Sequence, residues 1–89
     1  MTKRAVAELL KPGEYLVCYD LPRMSGLWGV LIAPSMTSIQ VKYPELAIVA
    51  SLPPWMDEAD VARMRETPLW LDDPPQGLLH ALVADRERE

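Results

Sequence analysis

The sequence has few of the residues from which metal sites and nucleophilic active sites are built. Its 89 residues include one cysteine, Cys18, one histidine, His80, and no phenylalanine. A lone cysteine cannot form an intramolecular disulfide, and a metal site needs several clustered ligands. The Gly-x-Ser-x-Gly nucleophile elbow and the glycine-rich phosphate loop are absent too. We therefore expect a protein without metal or cofactor that is not an enzyme.

The sequence also lacks long apolar runs and an excess of basic over acidic residues. The longest apolar stretch, residues 27–33, is far short of the roughly 18 residues that suggest a membrane span. The N-terminus carries charges before any apolar run of signal-peptide length begins. The net charge is -4, and residues 45–89 hold four arginines against ten acidic residues. Phosphate backbones need clustered Lys and Arg, so a nucleic-acid partner is disfavoured. We expect a cytoplasmic protein that binds neither membrane nor nucleic acid.

The strands are outlined by apolar runs between nine prolines. Residues 14–20 and 27–33 are apolar on both faces, as in strands covered on two sides, and their short connection predicts an antiparallel hairpin. Residues 46–52 predict a third strand after an intervening helix. A right-handed crossover makes the second and third strands parallel, with the first strand between them and antiparallel to both. The fold class is therefore α+β: residues 1–89 form a single domain with a small three-stranded, mostly antiparallel sheet.

Short helices complete the prediction. A first helix covers residues 3–10, a second covers residues 36–43 behind Ser35 as its cap, and a third covers residues 58–65. Asp57 and Asp60 have the spacing of a capping box for that third helix. Asp73 followed by Pro74 predicts the start of a closing helix that reaches from residue 76 to about residue 86. Residues 69–71 form a short extended segment, a candidate edge strand.

One stretch resembles a known group of proteins. The residues YLVCYD at 15–20, GLWGV at 26–30 and the helix entry APS at 33–35 resemble small conserved actinobacterial-type proteins of unknown function. In that group a Tyr-Asp strand end is followed by a glycine and a tryptophan-rich second strand. The resemblance implies a bacterial cytoplasmic origin and carries over no functional residue.

The tryptophans are the best candidates for a binding surface. Trp55 follows Pro53-Pro54, and Trp70 lies in a segment that Pro68 and Pro74 bound. Tryptophan is enriched among the residues that dominate binding energy, and a stiff connector reduces the entropy lost on binding. Both rings could instead cover the small sheet. We expect Trp55 to be exposed in the monomer, and we predict a partner-binding surface made of Trp28, Trp55, Met56 and Trp70.

Three functions follow from these residues. The first is a non-enzymatic interaction or regulatory module that binds a protein partner or a second copy of itself as a homo-oligomer. The alternative is a small-ligand sensor whose aromatic pocket is walled by Trp28, Trp55 and Tyr15, with Asp20 as a polar residue at the site. The third is an enzyme that uses Asp20 and His80. Capping and turn formation also account for the acidic residues.

Overall fold

The computed structural model describes residues 5–19 and 26–87 and confirms the α+β class. The chain begins with a short 3-10 helix, Val6–Glu8, and then runs through four strands and three α-helices. In chain order they are β1 (Glu14–Tyr19), β2 (Leu27–Ile32), α1 (Met36–Lys42), β3 (Ala47–Ile48), α2 (Glu58–Glu66), β4 (Leu69–Trp70) and α3 (Leu78–Glu87).

The sheet has four strands in the order β3-β1-β2-β4. β1 is antiparallel to both β2 and β3, which confirms the predicted place of the first strand. The candidate edge strand at residues 69–71 is present as β4, so the sheet has four strands and not the predicted three. β4 pairs in parallel with the end of β2 through Leu69 opposite Leu31 and Trp70 opposite Ile32. A strand of two residues shows too little alternation to be assigned firmly from the sequence, so its pairing with β2 defines β4.

Alternation along the inner strands produces an apolar core on each face of the sheet. Val17 and Leu31 face α1 and α3, whereas Leu16 faces α2 and the 3-10 helix. The first core cluster comprises Val17, Leu31, Ala33, Ile39, Tyr43, Leu46, Leu71, Leu78, Leu79 and Leu82. The second comprises Val6, Leu16, Leu52, Met56 and Val61, with Trp28 and Met64 packed against it. Helices on both faces explain why β1 and β2 are apolar on both sides.

The third strand is shorter than the sequence predicts. Residues 46–52 were expected to pair throughout, but β3 contains only Ala47 and Ile48. Beyond it, the Val49 N–H still donates to the Leu16 carbonyl, and Ser51 then forms an isolated bridge with Ala5. The 3-10 helix also donates its Val6 N–H to the Ala50 carbonyl. The segment leaves β1 because its backbone groups find partners near the N-terminus instead.

α1 and α2 begin where the sequence predicts, whereas α3 does not. Ser35 with Ser38, and Asp57 with Asp60, form complete capping boxes. Asp73 does not cap α3, which begins at Leu78. The Asp73 N–H instead donates to the Trp70 carbonyl at 3.2 Å, which closes a turn. Pro75 explains the difference, because a proline disfavours helical geometry in the residue before it, and that residue is Pro74.

The N-terminal helix also differs from its prediction. A helix over residues 3–10 was expected, but the described part of this segment holds only the 3-10 helix Val6–Glu8. Residues 3 and 4 lie outside the described residues. Leu9 and Leu10 both donate to the Val6 carbonyl, which tightens the turn before Pro12.

Candidate interaction site

The two outer strands each cover only half of the inner strand beside them. β3 pairs with Val17 and Cys18 of β1, and β4 pairs with Leu31 and Ile32 of β2. On the side away from β1, residues 27–29 of β2 therefore have no strand partner among the described residues, whereas the Val30 carbonyl already meets the first residue of β4, Leu69. Glu14 and Tyr15 of β1 are the corresponding part on the other side of the sheet, because the Leu16 carbonyl already accepts the Val49 N–H. A cleft lies beside each of these half-strands.

The cleft beside β2 is bounded by two tryptophans and one flank of α2, and we call it the tryptophan cleft. Its volume is about 450 Å³. Its lining residues are Trp28, Trp55, Met56, Asp60, Arg63, Met64 and Thr67. Four of them recur at the helical spacing of three to four residues and so form one stripe along α2: Asp60, Arg63, Met64 and Thr67.

Trp55 projects from the rim of this cleft. Its ring meets Trp28 edge to face, with centroids 5.3 Å apart and planes at 84°. The residue remains 65% exposed, which confirms the predicted exposure. Such a contact fixes the orientation of the ring while leaving most of its apolar surface in water.

The residues on either side of Trp55 explain why its side chain is exposed. Pro53 fixes its own φ, and its carbonyl accepts the Met56 N–H at 3.1 Å, which closes a tight turn. Asp57 then caps α2 directly after the turn. Trp55 therefore lies at the tip of a short turn, between Pro53 and the N-terminus of α2.

The charges at the rim of the cleft compensate each other. The Arg63 guanidinium pairs with the Asp60 carboxylate one turn earlier on α2. The Asp60 N–H donates to the Asp57 side chain, and this bond lowers the pKa of the Asp57 carboxyl. The ion-paired residues leave the rim with no net charge of its own, although the chain as a whole is acidic.

The other predicted binding residues are distributed differently. Met56 is only 7% exposed and belongs to the second core cluster, but it also lines the tryptophan cleft, so its role as a contact residue stays a prediction. Trp70 is 52% exposed on the edge strand β4. It does not line the tryptophan cleft, and instead borders a small depression with Pro68, Asp73 and Pro74.

The predicted aromatic ligand pocket is not assembled. Tyr15 packs against the first core cluster and Trp28 against the second, so the sheet separates them. Asp20 lies outside the described residues. Tyr15 instead lines a second cleft of about 420 Å³, which we call the apolar cleft. Its walls come from the 3-10 helix and following turn, β1, Met36, and the segment after β3: Val6, Leu10, Lys11, Pro12, Gly13, Glu14, Tyr15, Leu16, Met36, Ile48, Val49 and Ala50.

The two side chains considered for nucleophilic chemistry, Cys18 and His80, lie on opposite faces of the sheet. Cys18 is buried in β1 on the α2 side of the sheet, whereas His80 is exposed on α3, which packs on the opposite side. Within residues 5–19 and 26–87, no group of three or more His, Cys, Asp or Glu side chains could hold a metal ion.

The α2 stripe was missed by the sequence reasoning, although its spacing was visible. Asp60, Met64 and Thr67 repeat at helical intervals, but their mixed chemistry does not mark them as one surface until Trp28 is placed opposite. None of the helices in the described part of the chain has the length and apolar character needed to cross a membrane. Comparison with protein-family models, curated proteins and solved structures gave no significant match to this chain, so the actinobacterial resemblance stays an expectation.

Proposed function

We propose that this protein is an interaction module that associates, with a protein partner or with itself, through the tryptophan cleft. The observation that carries the proposal is a 65% exposed Trp55, oriented by its edge contact with Trp28, beside a concave surface with an arginine on its rim. Tryptophan and arginine are enriched among the residues that dominate the energy of protein interfaces.

The experiment that tests this proposal is the Trp55→Ala substitution. Self-association is measured by sedimentation, and partner binding by panning a displayed peptide library on wild-type protein and on the variant. The substitution should weaken association by about 2 kcal/mol, or about 30-fold. It should lower the free energy of unfolding by only about 1 kcal/mol, the value of one aromatic edge contact.

The control is Val41→Ala, because Val41 is another exposed apolar residue, at 78%, and lies on α1 outside the cleft. This variant should bind as the wild type does. A loss of about 3–5 kcal/mol of folding stability in Trp55→Ala would contradict the proposal, because it would identify a core residue.

A second candidate function rests on the apolar cleft. A largely apolar cavity of about 420 Å³ falls within the size range of small-molecule sites. A bound apolar metabolite would raise the melting temperature by mass action. Ala50→Leu, which puts a larger side chain into this cleft, should abolish such a shift, whereas Trp55→Ala should leave it intact.

A further inference from the structure

The open half of β2 carries backbone groups that point away from β1. The Ala33 N–H donates to the Gly13 carbonyl on the β1 side, whereas the Ile32 carbonyl accepts the Leu71 N–H on the β4 side. Backbone groups alternate along a strand, so those of Trp28 and Val30 point to the outer side, as those of Ile32 do. The parallel pairing of Leu31 with Leu69 engages the Val30 carbonyl, which leaves the Val30 N–H and both backbone groups of Trp28. β4 begins opposite Leu31 and therefore does not reach Trp28.

The open half of β2 contains none of the residues that usually protect a strand edge, unlike the corresponding part of β1. Proteins guard open strand edges with charge, proline or a bulge. The β1 half has Pro12 just before it and the charged Glu14 within it. Residues 27–30 of β2, Leu-Trp-Gly-Val, contain neither a charge nor a proline. An edge of this kind accepts a further strand.

We propose that the strand accepted here is β2 of a second copy of this chain, paired antiparallel about a twofold axis near Trp28. This rests on the proposed function and names its partner. In this register the outward N–H and C=O groups of Trp28 bond to those of Trp28 in the second copy. Such a contact is isologous, so each copy satisfies the edge of the other and the assembly closes as a dimer.

Side chains favour the same arrangement. Trp28 lies on the α2 face of the sheet, so Trp28 of the second copy lies on that face too, directly across the strand pair. Opposed side chains in such pairs come within about 5 Å at their Cβ atoms, and aromatic pairs there are stabilising. The second indole ring then adjoins the tryptophan cleft. The Asp60–Arg63 pair at the rim is charge-compensated, so the rims do not repel when two acidic chains meet.

The decisive experiment is amide hydrogen exchange followed by NMR on the full chain, at a dilute concentration and at about 1 mM. When nine-tenths of the chains are dimeric, the Trp28 and Val30 amides should exchange about 10-fold more slowly than in the monomer. Gly29 and Leu31 provide the internal control, because their amides face β1 in both states. Slower exchange at Trp28 and Val30 in the dimer, without a change at Gly29 and Leu31, supports edge pairing.

A charge variant gives an independent measurement. Leu27 lies in the open half, so Leu27→Lys places like charges near each other across the pair and should weaken dimerisation at least about 10-fold. Val41→Lys makes the same charge change on α1 and should leave dimerisation unchanged. Leu27 is partly buried, so each variant is first checked by a thermal melt, and the exchange experiment does not depend on either.

The outcomes separate this inference from the proposed function. A dimer that forms without protection of Trp28 and Val30 overturns edge pairing, while its loss in Trp55→Ala would still support the interaction module. Protection of both amides in a dimer that tolerates Trp55→Ala supports edge pairing and contradicts the role given to Trp55. A chain that stays monomeric at about 1 mM overturns the second copy as partner. Peptide panning then decides whether a foreign segment uses the cleft.

Discussion

Tyr43 shows how single residues connect the two ends of this fold. Its buried ring lies at the end of α1, with the Lys42 ammonium and the Arg86 guanidinium each 5.6 Å from the ring centroid. Arg86 also bonds to the Lys42 carbonyl and the Glu45 carboxylate, and Lys42 donates to the Leu71 carbonyl. One buried aromatic residue thus organises the contact between α1, α3 and the turn after β4. Cations over an aromatic face add to its stabilisation.

Cys18 gives the first residue-scale prediction. It is 7% exposed within β1, where cysteine acts as a small apolar side chain. We expect a thiol reagent to label the native protein at least about 100-fold more slowly than the unfolded protein, because reaction requires opening of the central strand. Labelling is followed by mass spectrometry with and without denaturant. Equal rates in the two conditions would show that the thiol is accessible in the native fold.

At the scale of elements, the short helices depend on their first turns. α1 has seven residues and α2 has nine, so neither would persist alone in water. Both begin with a complete capping box, which satisfies backbone N–H groups that the helix itself cannot pair. α3 begins differently, after two exposed prolines and Gly77, whose φ of 55° suits a residue without a side chain.

The two aspartates that resemble caps in the sequence should therefore respond differently to replacement. Asp57→Ala removes the acceptor for the Asp60 N–H and should lower the free energy of unfolding by about 1 kcal/mol. Asp73→Ala, the matched control, keeps the backbone bond from residue 73 to the Trp70 carbonyl and should change it by less than about 0.5 kcal/mol. Denaturant melts of both variants test this. Equal losses would mean that Asp73 has a structural role that its turn does not show.

At the scale of the whole molecule, two ion pairs join segments that are distant in sequence. The Arg65 Nε of α2 lies 3.0 Å from the Glu14 carboxylate of β1. Arg86 of α3 pairs with Glu45 in the turn after α1. Burial opposes ionisation of Glu14, but hydrogen bonds from the Lys11 N–H and from Arg65 leave its pKa below the ordinary value. The hydrogen bond from Arg86 likewise lowers the pKa of Glu45.

These pairs predict how stability depends on pH. A carboxyl whose pKa is lower in the folded protein stabilises it above the unfolded pKa, and this is lost as pH falls through the folded pKa. We therefore expect the free energy of unfolding to decrease between about pH 5 and pH 3. The combined substitution Glu14→Gln and Glu45→Gln should flatten that decrease. Glu66→Gln on α2 controls for the loss of a surface charge, and an unchanged slope in the double variant would refute the assignment.

The sequence by itself determined the features that depend on local chemistry. Alternating apolar residues in β1 and β2 specify strands buried on both faces, and Ser35 and Asp57 specify where α1 and α2 begin. The crossover rule placed β1 between its neighbours. These predictions succeeded because side-chain period, capping and chain handedness act over a few residues or one connection.

Tertiary structure decided which distant segments meet at the surface. β3 shortens because Ala50 and Ser51 pair with Val6 and Ala5, and the candidate edge strand at residues 69–71 joins the sheet by pairing with Leu31 and Ile32. The tryptophan cleft joins a strand residue, a turn residue and a helix stripe, whose sequence separations carry no mutual signal. Trp28 and Tyr15 were separated by the two faces of the sheet, and Met56 was buried by packing against α2. Contacts between distant segments are chosen by the packing of whole elements, which no local pattern encodes.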